Sequence, residues 1–229
     1  MLVSCDTNTL VYEAVPLFMP LTKDKILEGY STVDYIPLIK VNREPFQKIY
    51  DAVQVPEDIL NYFEDLGDSL TLVVFHAEWC GDAVTTTPTI LRLADKTKNL
   101  NVRIFNRDEE VDLANEFLPP HRANTVPIFL VLDEHMNEIS RFIETAKGLV
   151  PHIDAMNDEI AKQAEGDTGQ DRNRIRSSRT AYRVMKAQEW GSIIIEEFQQ
   201  VLCEGLKLPN SDRPSVGGTE WPIPKSTAQ

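Results

Sequence analysis

The sequence predicts an α/β protein: a mixed sheet flanked by helices, with an N-terminal helical extension and a long C-terminal helix. Three observations carry this. Residues 70–76, Leu-Thr-Leu-Val-Val-Phe-His, form a continuous apolar run rich in β-branched residues, which reads as a strand buried on both faces. A helical pattern over 81–98 and a second strand at 102–105 follow it, a βαβ order. Two adjacent strands, 127–132 and 138–143, are joined by a turn at 133–137 and close the unit as a hairpin.

Taken in order, residues 1–43 form an irregular extension broken by Pro16, Pro20 and Pro37, although Thr22 can cap a short helix. Over 44–66, Phe46, Ile49, Tyr50 and Val53 follow helical spacing. Pro56 then opens a second helical piece with Ile59, Leu60 and Phe63, and Gly67 stops it. In 81–98, Ile90, Leu91 and Ala94 form the apolar face, and Pro88 should kink the helix. Val111, Leu113, Ala114 and Phe117 suggest a short helix at 109–117. Polar residues 164–176 read as a linker or a solvated helix start, 177–206 as one helix, and the Pro- and Gly-rich 207–229 as an extended tail. The divisions are therefore 1–43, a central domain with its leading helices at 44–160, a helical extension at 161–206, and the tail at 207–229.

The 229 residues carry a net charge of −13 and 42% hydrophobic residues. That is enough apolar surface for a core, and wholesale disorder is excluded. The charge disfavours nucleic acid and anionic membranes, which need a basic face. No run is long and apolar enough to cross a membrane. The start of the chain lacks a basic stretch and is interrupted by Asp6 and Glu13, so a cytoplasmic protein is expected. Three cysteines, Cys5, Cys80 and Cys203, are too few for a disulfide framework or a cysteine metal cluster.

The chemistry concentrates in Phe75-His76-Ala77-Glu78-Trp79-Cys80-Gly81-Asp82-Ala83, where a buried strand delivers Cys80 to a helix start. Amides and dipole there favour a thiolate, whereas Asp82 opposes it. Trp79 can wall the site, and Thr125-Val126-Pro127 enters the third strand directly, a candidate cis bond. His76 and His121 are candidate auxiliary groups near the thiol; with Cys80 they would offer a metal only three ligands without a spacing signature, so no metal is expected. Cys203 reads as a core residue of the last helix, and Cys5 as a chance cysteine of the loose N-terminus. Trp190 and Trp221 read as packing anchors. Arg172, Arg174, Arg176, Arg179, Arg183 and Lys186 read as a solvated helix face.

Ala77-Glu78-Trp79-Cys80-Gly81, Pro88 and Val126-Pro127 together resemble the thioredoxins over about residues 68–145. The chain looks closest to a bacterial branch with an N-terminal helical extension and a single-cysteine Cys-Gly-Asp-Ala motif. The resemblance implies a thioredoxin-like mixed sheet of four or five strands and Cys80 as the attacking thiol. It also implies a substrate-binding edge made of Trp79, Gly81, Asp82, Thr125, Val126 and Pro127. Two departures stand out. Ala83 occupies the place of the resolving cysteine, and Val74 the place of the buried acid six residues before the first cysteine. The expectation is monothiol thiol–disulfide exchange on protein or small-molecule disulfides, with a low-molecular-weight thiol as co-reductant and no cofactor. The rival expectation is a redox-inactive binding or scaffold module that uses the cis-proline edge. A homodimer through the last helix is expected if its apolar face is left uncovered.

Overall fold

The computed structural model describes residues 21–67, 69–164 and 172–219. Cys5, Pro16, Pro20 and residues 220–229 of the tail, Trp221 included, lie outside the described residues. The helices are α1 (Lys23–Glu28), α2 (Thr32–Tyr35), α3 (Arg43–Ala52), α4 (Glu57–Asp65), α5 (Gly81–Lys96), α6 (Val111–Asn115), α7 (Val150–Ala164), α8 (Arg172–Met185) and α9 (Ala187–Lys207). The strands are β1 (Leu70–His76), β2 (Leu100–Asn106), β3 (Ile128–Leu132), β4 (Glu138–Ile143) and β5 (Ser215–Gly218).

The five strands form one mixed sheet in the order β2-β1-β3-β4-β5. β1 runs parallel to β2 and antiparallel to β3, with Val74 opposite both Ile104 and Phe129. The β3–β4 hairpin is antiparallel and turns on Asp133, whose carboxylate accepts the amides of His135 and Asn137. β5 lies in the segment read as an extended tail and adds a parallel edge to β4.

The central strand buries both faces because its alternate residues enter different layers. Leu72 and Val74 pack with α3, α4, α5 and α9, whereas Val73 and Phe75 pack with Phe105, Leu113 and Ile128 on the opposite face. The leading segments form as expected: Thr22 Oγ1 accepts the amide of Lys25, α3 and α4 are separated before Pro56, and Gly67 ends α4 at φ +68°. Residues 21–43 are not irregular: they form α1 and α2, and Ile26, Tyr35 and Ile39 are buried in the core.

The last helical segment corrects the sequence reading. It is two helices, not one. Lys186 (φ −94°, ψ 8°) breaks it, although Lys186 N–H still reaches Tyr182 O and Trp190 N–H reaches Lys186 O. The break leaves Met185 68% exposed and turns Trp190, Ile194, Ile195, Phe198, Val201 and Leu202 into the core. Phe198 meets Phe142 at 5.8 Å and Phe129 at 6.5 Å between ring centroids, so the apolar face of α9 is covered by the chain's own sheet.

Candidate functional site

Strand β1 ends at His76, and Ala77 to Trp79 form the bend that delivers Cys80 to the N-cap of α5. The bend is held from outside by the segment ahead of α3. The Glu78 carboxylate accepts the amides of Lys40 and Val41 at 2.9 and 2.8 Å. Asn42, in the left-handed region at φ 62°, donates from Nδ2 to Glu78 O at 2.8 Å. Trp79 is 49% exposed but fixed: its Nε1 donates to Asp108 at 2.8 Å, and the Arg107 guanidinium lies 5.3 Å from the ring centroid. These contacts make a rigid platform out of a loop, which is what a preorganised docking edge needs.

Cys80 is half-buried, and its thiol donates to Val126 O at 3.5 Å. Val126 precedes Pro127 through a cis peptide bond, and Thr125 donates its amide to Arg122 O. The structure therefore brings Cys80, Val126 and Pro127 together, with Trp79, Gly81 and Asp82 flanking the sulfur in sequence. Burial, then the Asp82 carboxylate, push the Cys80 thiol above its ordinary value. The amides of Ala83 and Asp82 and the Arg183 guanidinium pull the other way without reversing the shift. The helix start is thus outweighed by desolvation, because a half-buried sulfur loses more solvation than two amides return.

The two histidines sit in opposite surroundings. His76 is fully buried between Tyr35 and Phe46, edge-on to both, with Nδ1 3.1 Å from Thr87 Oγ1; among the described residues Nε2 has no hydrogen-bond partner. Burial pushes it down to about 3, so it is neutral at physiological pH. His121 is exposed on the turn Pro120–Arg122; its neighbour Arg122 is the buried one, paired with Glu144 at 2.9 Å. Cys203 is a free, half-buried thiol of α9 that lies near Tyr62 of α4. Among the described residues no group of three His, Cys, Asp or Glu side chains is placed to hold a metal ion.

Four site residues escaped the sequence reading, Arg183 foremost. Arg183, taken as part of a solvated face, is buried. It donates to Thr85 Oγ1 at 2.9 Å and to Asp82 Oδ1 at 3.3 Å. It lies so close over Gly81 that a Cβ there would stand 3.1 Å from Nη2. Its guanidinium is also 5.9 Å from the Trp190 ring centroid. A basic stripe on a helix carries no sign of which member is buried, since a contact about a hundred residues away leaves no local periodicity. Asn42, Arg107 and Asp108 escaped for the same reason.

A family model described as thioredoxin matches residues 29–157, more than half of the chain. A comparison with curated proteins gives no match. Among solved structures, an HIV epitope-scaffold has a TM-score of 0.53 at 14% identity, over 78% of this chain and 98% of that one, and shares its fold. A Pseudomonas aeruginosa protein of unknown function has a TM-score of 0.49 at 13% identity over 76% of this chain and 96% of its own. Mitochondrial thioredoxin 3 of Saccharomyces cerevisiae has a TM-score of 0.27 at 18% identity over 41% and 84%. No helix is long and apolar enough to cross a membrane among the described residues.

Proposed function

The chain belongs to the thioredoxin family, and from that premise we propose that Cys80 performs monothiol thiol–disulfide exchange on protein or small-molecule disulfides. The observation that carries the reading is the contact of the Cys80 thiol with the Val126 carbonyl beside Pro127. That contact supports the reading, because a thiol beside this backbone edge is within reach of a substrate strand paired along it.

The Cys80 thiolate attacks one sulfur of the substrate disulfide. The substrate S–S bond breaks, the new bond joins Cys80 to that sulfur, and the departing thiolate takes a proton. Loss of the Cys80 S–H frees the Val126 carbonyl to accept a hydrogen bond from the substrate backbone. With Ala83 in the resolving place, a thiol from solution attacks the mixed disulfide, bonds to the substrate sulfur and releases Cys80. The net change exchanges one thiol for another on the substrate, and the solution thiol is the co-reductant. Because burial raises the thiol, the attacking fraction grows toward alkaline pH.

The test is turnover of insulin and of a glutathionylated peptide, with and without glutathione, by the wild-type protein and by Cys80→Ser. Activity that depends on both glutathione and Cys80 is expected; equal rates for the two proteins sink the proposal. The raised thiol and Ala83 favour one second reading, a redox-inactive docking module on the same edge. That reading predicts partner binding that survives Cys80→Ser while turnover is absent from both proteins.

A further inference from the structure

Helix α8 carries Arg172, Arg176, Arg179 and Arg183 at spacings of four, three and four residues, which places them on one helix face. Arg183, the innermost, is held by Asp82 and Thr85. Arg172, Arg176 and Arg179 are exposed, and among the described residues none of them forms an ion pair with a carboxylate. All four line a cleft of about 560 Å³ that ends at Trp79, Gly81 and Asp82, the residues flanking Cys80. Asn42, Arg176 and Thr180 also line a second cleft of about 650 Å³, with Lys40, Arg43 and Lys48, so the two form one groove. The carboxylates lining it are Asp82, spent on Arg183, and Glu44, paired with Lys48 at 2.7 Å.

This is a concentrated positive surface on a chain of net charge −13. Like charges at helical i, i+4 spacing repel, so the stripe is stabilised by an anion laid along it. We propose that the groove binds an acidic, extended peptide segment of a partner protein, whose carboxylates pair with the arginines of α8 and whose chain leads toward the Cys80 edge. Planar guanidinium groups suit carboxylates by offering two parallel donors. The 14 residues of α8 span about 21 Å, the length of roughly six extended residues, so a line of carboxylates fits it better than one compact anion. A single-stranded nucleic acid fits less well. Among the described residues Trp79 is the one aromatic side chain lining either cleft, and it is already under Arg107 and tied to Asp108, so it offers no free stacking face. Binding goes beyond the exchange chemistry and does not require it.

The experiment is fluorescence anisotropy with a labelled oligoglutamate peptide, its oligoglutamine counterpart and an oligothymidylate of equal length, at ~0.05 M and ~0.2 M salt. Oligoglutamate should bind, more weakly at the higher salt, and oligoglutamine should not. The triple variant Arg172→Gln/Arg176→Gln/Arg179→Gln should weaken binding about tenfold or more, equivalent to ~1.4 kcal/mol or more. The single Arg176→Glu should weaken it in the same direction if the triple variant folds poorly. Cys80→Ser should bind as wild type does, which separates failure of the exchange reading from failure of this one. Unchanged binding by the arginine variants would overturn the proposal, as would tighter binding of oligothymidylate. A dimer that disappears in the triple variant would place a second copy in the groove and overturn it equally.

Discussion

The Asp82 carboxylate and the Arg183 guanidinium, 101 positions apart in sequence, meet at 3.3 Å beside the first turn of α5, and they act on Cys80 in opposite directions. The carboxylate disfavours the thiolate; the guanidinium favours it. Asp82→Asn keeps an acceptor for Arg183 but removes the negative charge. It should therefore lower the thiol pKa, raise the thiolate fraction at any pH below that pKa, and speed iodoacetamide alkylation there. Arg183→Gln should do the reverse. Well above the thiol pKa all three proteins should react alike. Superimposable pH profiles would show that neither charge reaches the sulfur.

His76 links the core to acid stability. Its folded value, pushed down to about 3 by burial, lies below the ordinary 6.5. Between those values the unfolded chain takes up a proton that the folded chain refuses, so stability rises with pH across the window and falls on acidification. The contribution is a few kcal/mol at most. His76→Phe keeps an aromatic ring between Tyr35 and Phe46 and removes the proton site. Urea unfolding of the variant should depend less steeply on pH between about 6.5 and 3 than that of the wild type. Parallel slopes would mean that His76 is not the group responsible.

How much of this was legible in the sequence depends on how local the cause is. β1 and β3 were readable because their apolar runs sit between turn residues, and β4 because the turn at 133–137 joins it to β3. The helix break at Pro56 and the Thr22 cap depend on neighbouring residues alone. Cys80 and Val126-Pro127 were readable through motif and element order. The break at Lys186 was not, because no glycine or proline marks it. It arises where α8 must keep Met185 in solvent while α9 turns Trp190 inward. β5 was not, because Ser-Val-Gly-Gly has little strand propensity and is a strand by pairing with β4. Nor was the outcome of the contest at Cys80, since burial of the sulfur is a property of the assembled fold.

Cys203 offers a direct check on whether the site works with one thiol. It lies on α9 near Tyr62 of α4, whereas Cys80 caps α5. Cys203→Ser should leave turnover and its glutathione dependence unchanged. Oxidised wild-type protein should give no peptide pair joining Cys80 to Cys203 in mass spectrometry. A Cys80–Cys203 disulfide would instead make Cys203 a resolving thiol and replace the monothiol cycle.

The C-terminal helix is a structural part of the domain, and Gly205 is where that is most sensitive. A Cβ on Gly205 would stand 2.2 Å from the backbone oxygen of Ile139 and 2.8 Å from Ser215 Oγ, so α9 crosses β4 and β5 at a separation that only glycine permits. The main-chain oxygen cannot rotate aside as a flexible side chain could. Gly205→Ala must therefore push α9 off the sheet, straining the Phe198 contacts with Phe129 and Phe142. Overpacking of this kind costs ~1–3 kcal/mol, and in a chain of this size each kcal/mol lowers Tm by about 2–4 °C. Trp190→Ala, which empties a fully buried position of the same helix, should cost ~3–5 kcal/mol. Both losses are read by thermal unfolding followed by near-UV circular dichroism. A Gly205→Ala protein as stable as the wild type would mean that α9 and β4 are not in the close contact described.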